Sequence, residues 1–113
     1  MRAEQNFVFF KEATQAGTSN TLGNTNGDSL SLQVGGTFSS ANIVVQGRAD
    51  FEGSFFAMSA LNVGTVDVSS SITAPGIYSV IGIEGVQQIR VVIQSVSGGS
   101  VSVFGRLVNT AGV

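Results

Sequence analysis

Residues 89–106, with the sequence IRVVIQSVSGGSVSVFGR, form two alternating segments joined by Ser97-Gly98-Gly99-Ser100. Apolar residues take every second position of both segments, which is the period of a β-strand with one buried face. The residues predicted to face the core are Ile89, Val91, Ile93, Val101, Val103, Gly105 and Leu107. Because glycine tolerates the positive φ of a tight turn, the sequence predicts a β-hairpin here.

The same alternation recurs at residues 30–34 and 43–50 and predicts strands there. Strands are also predicted at residues 7–11, 54–59, 65–70 and 76–81, besides 88–96 and 101–108. The further inward positions are Leu30, Leu32, Val34, Ile43, Val45, Gly47 and Ala49. About eight short strands without a helical period predict an all-β fold, a single antiparallel β-sandwich.

One domain, residues 1–113, is expected at this length. Residues 14–28 are rich in Thr, Ser, Asn and Gly and are predicted to form a long polar loop. Residues 1–5 and 109–113 are predicted to be frayed ends.

The composition excludes several kinds of chemistry. The chain has no Cys and no His, which rules out disulfides, a thiol nucleophile, a Ser-His-Asp triad and His-ligated metal. Five basic residues are too few for a nucleic-acid surface. Only 11% of residues are charged, against about 25% in a typical protein. We expect no catalytic residue, cofactor or metal, and a surface suited to association with copies of the same chain.

The acids leave two alternatives open. Asp50 and Glu52 share a face and could meet Asp28 or Asp67 at one end of the sandwich as calcium ligands. Separately, two of the seven acids could form the carboxylate pair of a cell-wall hydrolase, although no local motif marks such a pair. Solvated loop acids are the favoured interpretation, because no local motif brings them together.

Aromatic and basic residues also allow two interpretations each. Phe51, Phe55 and Phe56 could form an apolar tip that enters a bilayer, but a core position for Phe55 or Phe56 is favoured. The arginines at positions 48, 90 and 106 are expected to pair with Asp50 or Glu84, or to lie at a protomer boundary, rather than to form a basic patch.

Two segments carry more apolar side chains than a solitary sandwich buries. Residues 7–10 are apolar on both faces, although an edge strand buries only one. Val92, Val96 and Phe104 point outward beside arginines. A central first strand with ordinary, singly exposed apolar residues is the alternative; we favour a second protomer as the cover. The candidate protomer interface is Phe7, Val8, Phe9, Phe10, Arg90, Val92, Val96, Phe104 and Arg106.

The Phe-rich opening at residues 6–13, followed by a small-residue loop, occurs together with the Ser-Gly-Gly-Ser segment at residues 89–106. In both segments the chain resembles the XepA/YomS family of prophage proteins associated with host lysis. The resemblance covers residues 6–108, and the single module matches the shorter members of the family. It implies a C2-domain-like antiparallel sandwich, a homopentameric disc and a role in lysis at the cytoplasmic membrane.

The chain departs from that family pattern in two ways. It has no counterpart of the N-terminal sandwich of the longer members, and it lacks the acidic cluster of calcium-dependent C2 domains. The leading hypothesis is therefore a non-enzymatic, ring-forming prophage protein that is tied to lysis and contacts the membrane. A virion component, such as a decoration, fibre or adaptor module, is the main alternative.

The expected location is the host cytoplasm or the surface of its cytoplasmic membrane, with release on lysis. The first apolar run spans only residues 7–10, shorter than the roughly 7–15 residues of a signal peptide. No stretch is apolar enough for a transmembrane helix.

Overall fold

The computed structural model describes residues 3–24 and 27–109. Within them, eleven strands and one short 3₁₀ turn follow each other along the chain. Their bounds are β1 (Ala3–Ala13), β2 (Gly17–Thr18), β3 (Leu22–Gly23), β4 (Ser29–Thr37), β5 (Ser40–Arg48), β6 (Phe56–Met58), β7 (Ala60–Asn62), β8 (Val68–Ser69), β9 (Gly76–Val80), the 3₁₀ turn (Ile83–Gly85), β10 (Gln88–Ser97) and β11 (Ser100–Asn109).

The strands form two antiparallel sheets, which confirms the predicted all-β sandwich. The larger sheet has the order β1-β11-β4-β9-β7-β8, and the smaller sheet has the order β2-β10-β5-β6, with β3 also paired to β10. Each of the eight predicted segments contains a strand, while β2, β3 and β7 were not predicted. These three have only two or three residues, too few to show an alternating pattern.

The predicted hairpin at Ser97–Ser100 is wrong. β10 pairs with β5 in the smaller sheet, and β11 pairs with β4 and β1 in the larger sheet. The turn therefore crosses from one layer to the other, and its two strands face each other across the core. A hairpin and a turn that crosses between sheets have the same alternation and the same turn residues. The sequence pattern therefore could not distinguish them, because it does not specify which strands pair by hydrogen bonds.

A second crossing turn lies directly beside the first, between β4 and β5. The backbone N–H of Ser39 donates to the carbonyl of Ser97 at 2.9 Å, and the hydroxyls of Ser40 and Ser97 are 2.7 Å apart. Gly98 and Gly99 have φ of 72° and 148°, and a Cβ on Gly99 would collide with the carbonyl of Thr37. The double glycine thus lets two crossing turns stack.

The core lies between the two sheets and contains nearly all the residues predicted to face it. Ala49 is an exception, because β5 ends at Arg48 and leaves Ala49 exposed. Val44 is also buried, although strand alternation puts it on the face opposite to Ile43 and Val45. The predicted inward residues found buried are Leu30, Leu32, Val34, Ile43, Val45, Gly47, Ile89, Val91, Ile93, Val101, Val103, Gly105 and Leu107.

A β-bulge in the first strand explains how most of its apolar side chains reach the core. β1 is an edge strand that pairs with β11, and its register shifts between Val8 and Phe10. A bulge inserts one residue and lets neighbouring side chains share a face. Phe9 is buried in the core, and Phe7 and Phe10 pack against that core. Of the four residues 7–10, only Val8 is exposed, so a partner is not required to cover the other three.

Two short parts of the predicted polar loop, Gly17–Thr18 and Leu22–Gly23, pair with the smaller sheet. Thr18 pairs with Val92 and Leu22 pairs with Ile89, along one edge of β10. Leu22 is fully buried. One edge of β10 supplies the backbone hydrogen bonds to β2 and β3, and the composition of residues 14–28 does not predict this pairing. Residues 25–26 of this segment lie outside the described residues.

Part of each predicted frayed end lies in a strand. Residues 3–5 belong to β1, where Glu4 pairs with Val108 and Gln5 with Leu107, and Asn109 ends β11. The rest of the predicted ends, residues 1–2 and 110–113, lie outside the described residues.

Asn24 links the segment that contains β2 and β3 to the 3₁₀ turn at Ile83–Gly85. Its buried side-chain amide donates to the carbonyls of Ile83 and Val86, both at 2.9 Å, and its Oδ1 accepts from the N–H of Gly27 at 2.7 Å. Asn24→Ala should lower the free energy of unfolding by about 1–3 kcal/mol, because it removes the side-chain hydrogen bonds to the carbonyls of Ile83 and Val86. Urea unfolding measures the loss, with Asn20→Ala, at an exposed position of the same segment, as the control. Equal stability of the two variants would contradict the role given to Asn24.

Candidate interaction surface

An apolar row crosses the outer face of the larger sheet. The strand register places Val8 of β1 beside Phe104 of β11, and Gln33 of β4 between Phe104 and Ile77 of β9. Val8, Phe104 and Ile77 are 55%, 39% and 45% exposed. A contiguous patch of large exposed apolar side chains marks an interaction site more often than single, scattered ones do.

The apolar row lines a groove of about 460 Å³, which we call the β1–β11 groove. Its lining includes Phe7, Val8, Gln33, Ile77, Phe104 and Arg106. Arg106 brings one positive charge to the groove and forms an ion pair with Glu4, in which both side chains are nearly half exposed. The groove thus combines an apolar lining with a guanidinium at its border.

The nine predicted interface residues do not form one surface. Phe7, Val8, Phe104 and Arg106 meet at the β1–β11 groove. Phe9 is 5% exposed in the core and therefore offers nothing to a partner, and Phe10 packs against the core. The other three predicted residues, Arg90, Val92 and Val96, lie on β10 in the smaller sheet, because β10 and β11 are not hairpin partners.

Sequence reasoning missed Ile77 as part of this surface. Tyr78 and Val80 are buried, so the period of two places Ile77 on the outer face of β9. That alternation was present in the sequence. The pairing of β9 with β4, which brings Ile77 to the row, was not.

A second exposed apolar group lies at the opposite edge of the same sheet. The turn between β7 and β8 exposes Val63 and Val66, and β8 begins at the exposed Val68. The three side chains are 54%, 73% and 57% exposed, and we call these three residues the valine turn. Val66 has φ of 64°, a left-handed conformation that is unfavourable for a β-branched residue. Only Val68–Ser69 of the predicted strand at residues 65–70 is a strand, because the alternating residues before it form this turn.

Hydrogen bonds to Asn62 brace the valine turn. The Asn62 side-chain oxygen accepts from the N–H groups of Gly64 and Thr65 at 3.0 and 3.3 Å, and its backbone carbonyl accepts from Val66 at 2.7 Å. The turn therefore presents its valines in a fixed conformation.

Arg48 and Arg90 stack on one aromatic ring. Their guanidinium carbons lie 4.5 and 3.9 Å from the ring centroid of Phe55. Arg48 Nε donates to Gln88 Oε1 at 2.7 Å, and Arg90 Nε donates to Gln46 Oε1 at 2.9 Å. Within residues 3–24 and 27–109, neither Arg48 nor Arg90 forms the expected ion pair with Asp50 or Glu84. A cation–π contact can hold a guanidinium over a ring without an acid.

The prediction of a core position for Phe55 or Phe56 is wrong. Phe55 lies half-buried between the two arginines, and Phe56 is 73% exposed on the edge strand β6. Phe51 is also exposed, at 57%. Phe51 and Phe56 are thus both exposed, on either side of Gly53 in the sequence, as the alternative of an apolar tip requires.

A polar groove of about 230 Å³ lies beside the valine turn and is lined in part by Asn62, Asp67 and Tyr78. Burial raises the pKa of the Tyr78 phenol, and a side-chain hydrogen bond with Asn62 opposes that increase. The Tyr78 hydroxyl donates to the carbonyl of Ala74 at 2.7 Å. The phenol is therefore protonated and occupied as a donor at neutral pH.

The acids are dispersed over the described residues. Across positions 3–24 and 27–109, no three acidic side chains come close enough to hold a metal ion. Nor does any helix in this part of the chain have the length and apolar character to cross a membrane.

Comparison with known proteins identifies similar chains. A family model described as XepA matches residues 3–107. The crystal structure of the SPBc2 prophage-derived protein YomS is similar at 23% identity, with a TM-score of 0.86 and coverage of 96% of this chain and 95% of that one. The PBSX exported protein XepA is similar at 24% identity and a TM-score of 0.88, over 95% of this chain but 38% of that one. No curated protein matches the chain.

Proposed function

We propose that this chain, which belongs to the XepA family, is a non-enzymatic prophage protein that assembles with copies of itself into a ring and takes part in host cell lysis. The observation that carries the proposal is the apolar row on the outer face of the larger sheet. A folded protomer leaves this row uncovered, and burial of apolar area is the main favourable term in association.

The composition of the chain also supports self-assembly. With only 11% charged residues and a net charge of −2, copies of this chain repel each other weakly. A five-membered ring is the assembly that the family resemblance implies, and we adopt it as the expected size.

Contact with the cytoplasmic membrane of the host is the second part of the proposal. The exposed pair Phe51 and Phe56 supplies the apolar side chains that such a contact needs. Because the acids form no metal-binding group within the described residues, we expect this contact to be independent of calcium.

Co-sedimentation with vesicles of neutral and anionic phospholipid tests the membrane contact, with and without calcium. The chain should pellet under both conditions, and the double variant Phe51→Ser/Phe56→Ser should remain in the supernatant. Absence of pelleting in both conditions would remove the membrane part. Detection of the chain in purified phage particles would instead favour a virion component.

A further inference from the structure

We infer that the ring is closed by a head-to-tail contact in which the valine turn of one copy docks into the β1–β11 groove of the next copy. This inference rests on the proposed ring. A cyclic assembly of more than two copies needs two different, complementary surfaces on each protomer. The larger sheet offers such a pair, since β1 and β8 are its opposite edges.

Both surfaces are apolar, and one is a groove while the other is an exposed turn. The groove has a volume of about 460 Å³ and is lined by Phe7, Val8 and Phe104 among other residues. The valine turn projects its most exposed side chain, Val66, from a turn that Asn62 braces. A rigid apolar projection loses little conformational entropy when it enters a groove.

The charges at the two surfaces are opposite in sign. Arg106 is the charged residue that lines the groove. Asp67 is the charged residue of the segment 62–69, and it is exposed. Arg106 already contacts Glu4, but a guanidinium has five N–H donors and can bind a second carboxylate. Docking of the valine turn would bring Asp67 to Arg106 of the neighbouring copy.

The backbone of Val66 provides an independent argument. A non-glycine residue with strained φ costs on the order of 1–3 kcal/mol, and such residues concentrate where function requires them. Val66 is 73% exposed, so its side chain gains little within its own protomer in return for that strain. A contact with a second copy would account for a valine at this position.

Mixing two variants tests the head-to-tail contact. Val66→Asp disables the turn but keeps the groove, and Phe104→Glu disables the groove but keeps the turn. Each variant alone should have the mass of one protomer by light scattering. An equimolar mixture should form a heterodimer, because one intact turn can still meet one intact groove.

A third variant separates the interface role of Val66 from a structural role. Val66→Gly should raise the melting temperature of the protomer, because glycine accepts positive φ, and should shift the concentration for half-assembly upward by at least tenfold. If the wild type assembles but the mixture remains monomeric, or if Val66→Gly assembles like the wild type, the head-to-tail contact is wrong while the ring proposal stands. A monomeric wild type would overturn both.

Discussion

Replacing Gly99 with alanine should lower the free energy of unfolding by about 2–6 kcal/mol. Gly99 has φ of 148°, and an added Cβ would collide with the backbone carbonyl of Thr37. That carbonyl belongs to the neighbouring crossing turn and cannot move without disturbing β4 and β5 as well. The backbone conformation and the close approach therefore contribute to the same loss.

Thermal or urea unfolding of Gly99→Ala measures this effect. Gly85→Ala is the matched control, because a Cβ at Gly85 meets nothing within 4 Å. The control should unfold within about 1 kcal/mol of the wild type. If Gly99→Ala were as stable as the control, the stacking of the two crossing turns would be incorrect.

Phe104→Glu should convert the ring into folded monomers. Phe104 lies at the centre of the apolar row, and a glutamate there would place a carboxylate inside the proposed contact, where it loses hydration. In the monomer the side chain is 39% exposed, so the stability of the protomer should change by about 0.5 kcal/mol or less. Light scattering gives the mass, and circular dichroism at the same concentration reports the fold.

Phe56→Glu is the matched control for this substitution. Phe56 is a more exposed phenylalanine on the smaller sheet, and the same change there should leave the ring intact. Dissociation by both variants, or by neither, would show that the apolar row does not form the contact.

Phe9 shows why the sequence alone could not locate the surface. The opening residues 7–10 are apolar at every position, and a bulge that shifts the register decides which side chains turn inward. Phe9 packs edge-on against Phe7, with ring centroids 4.8 Å apart. Strand alternation assumes a regular strand, so it could predict neither the bulge nor the burial of Phe9.

The fold class and the core followed from the sequence because both depend on local period. Residues such as Leu30, Leu32 and Val101 alternate with polar neighbours and are fully buried. The layer assignment of β10 and β11 depends on non-local pairing, and that pairing separates Val92 from Phe104. The interface prediction therefore divided into two surfaces, and its part on β11 retained Phe104 and Arg106.

The mass of the wild-type chain in solution tests the central claim most directly. Light scattering coupled to size-exclusion chromatography, at micromolar protein concentration, should give five times the protomer mass of 11.6 kDa. Another closed number of copies above two would retain the ring and correct its size. A mass of one protomer would contradict self-assembly as the basis of function.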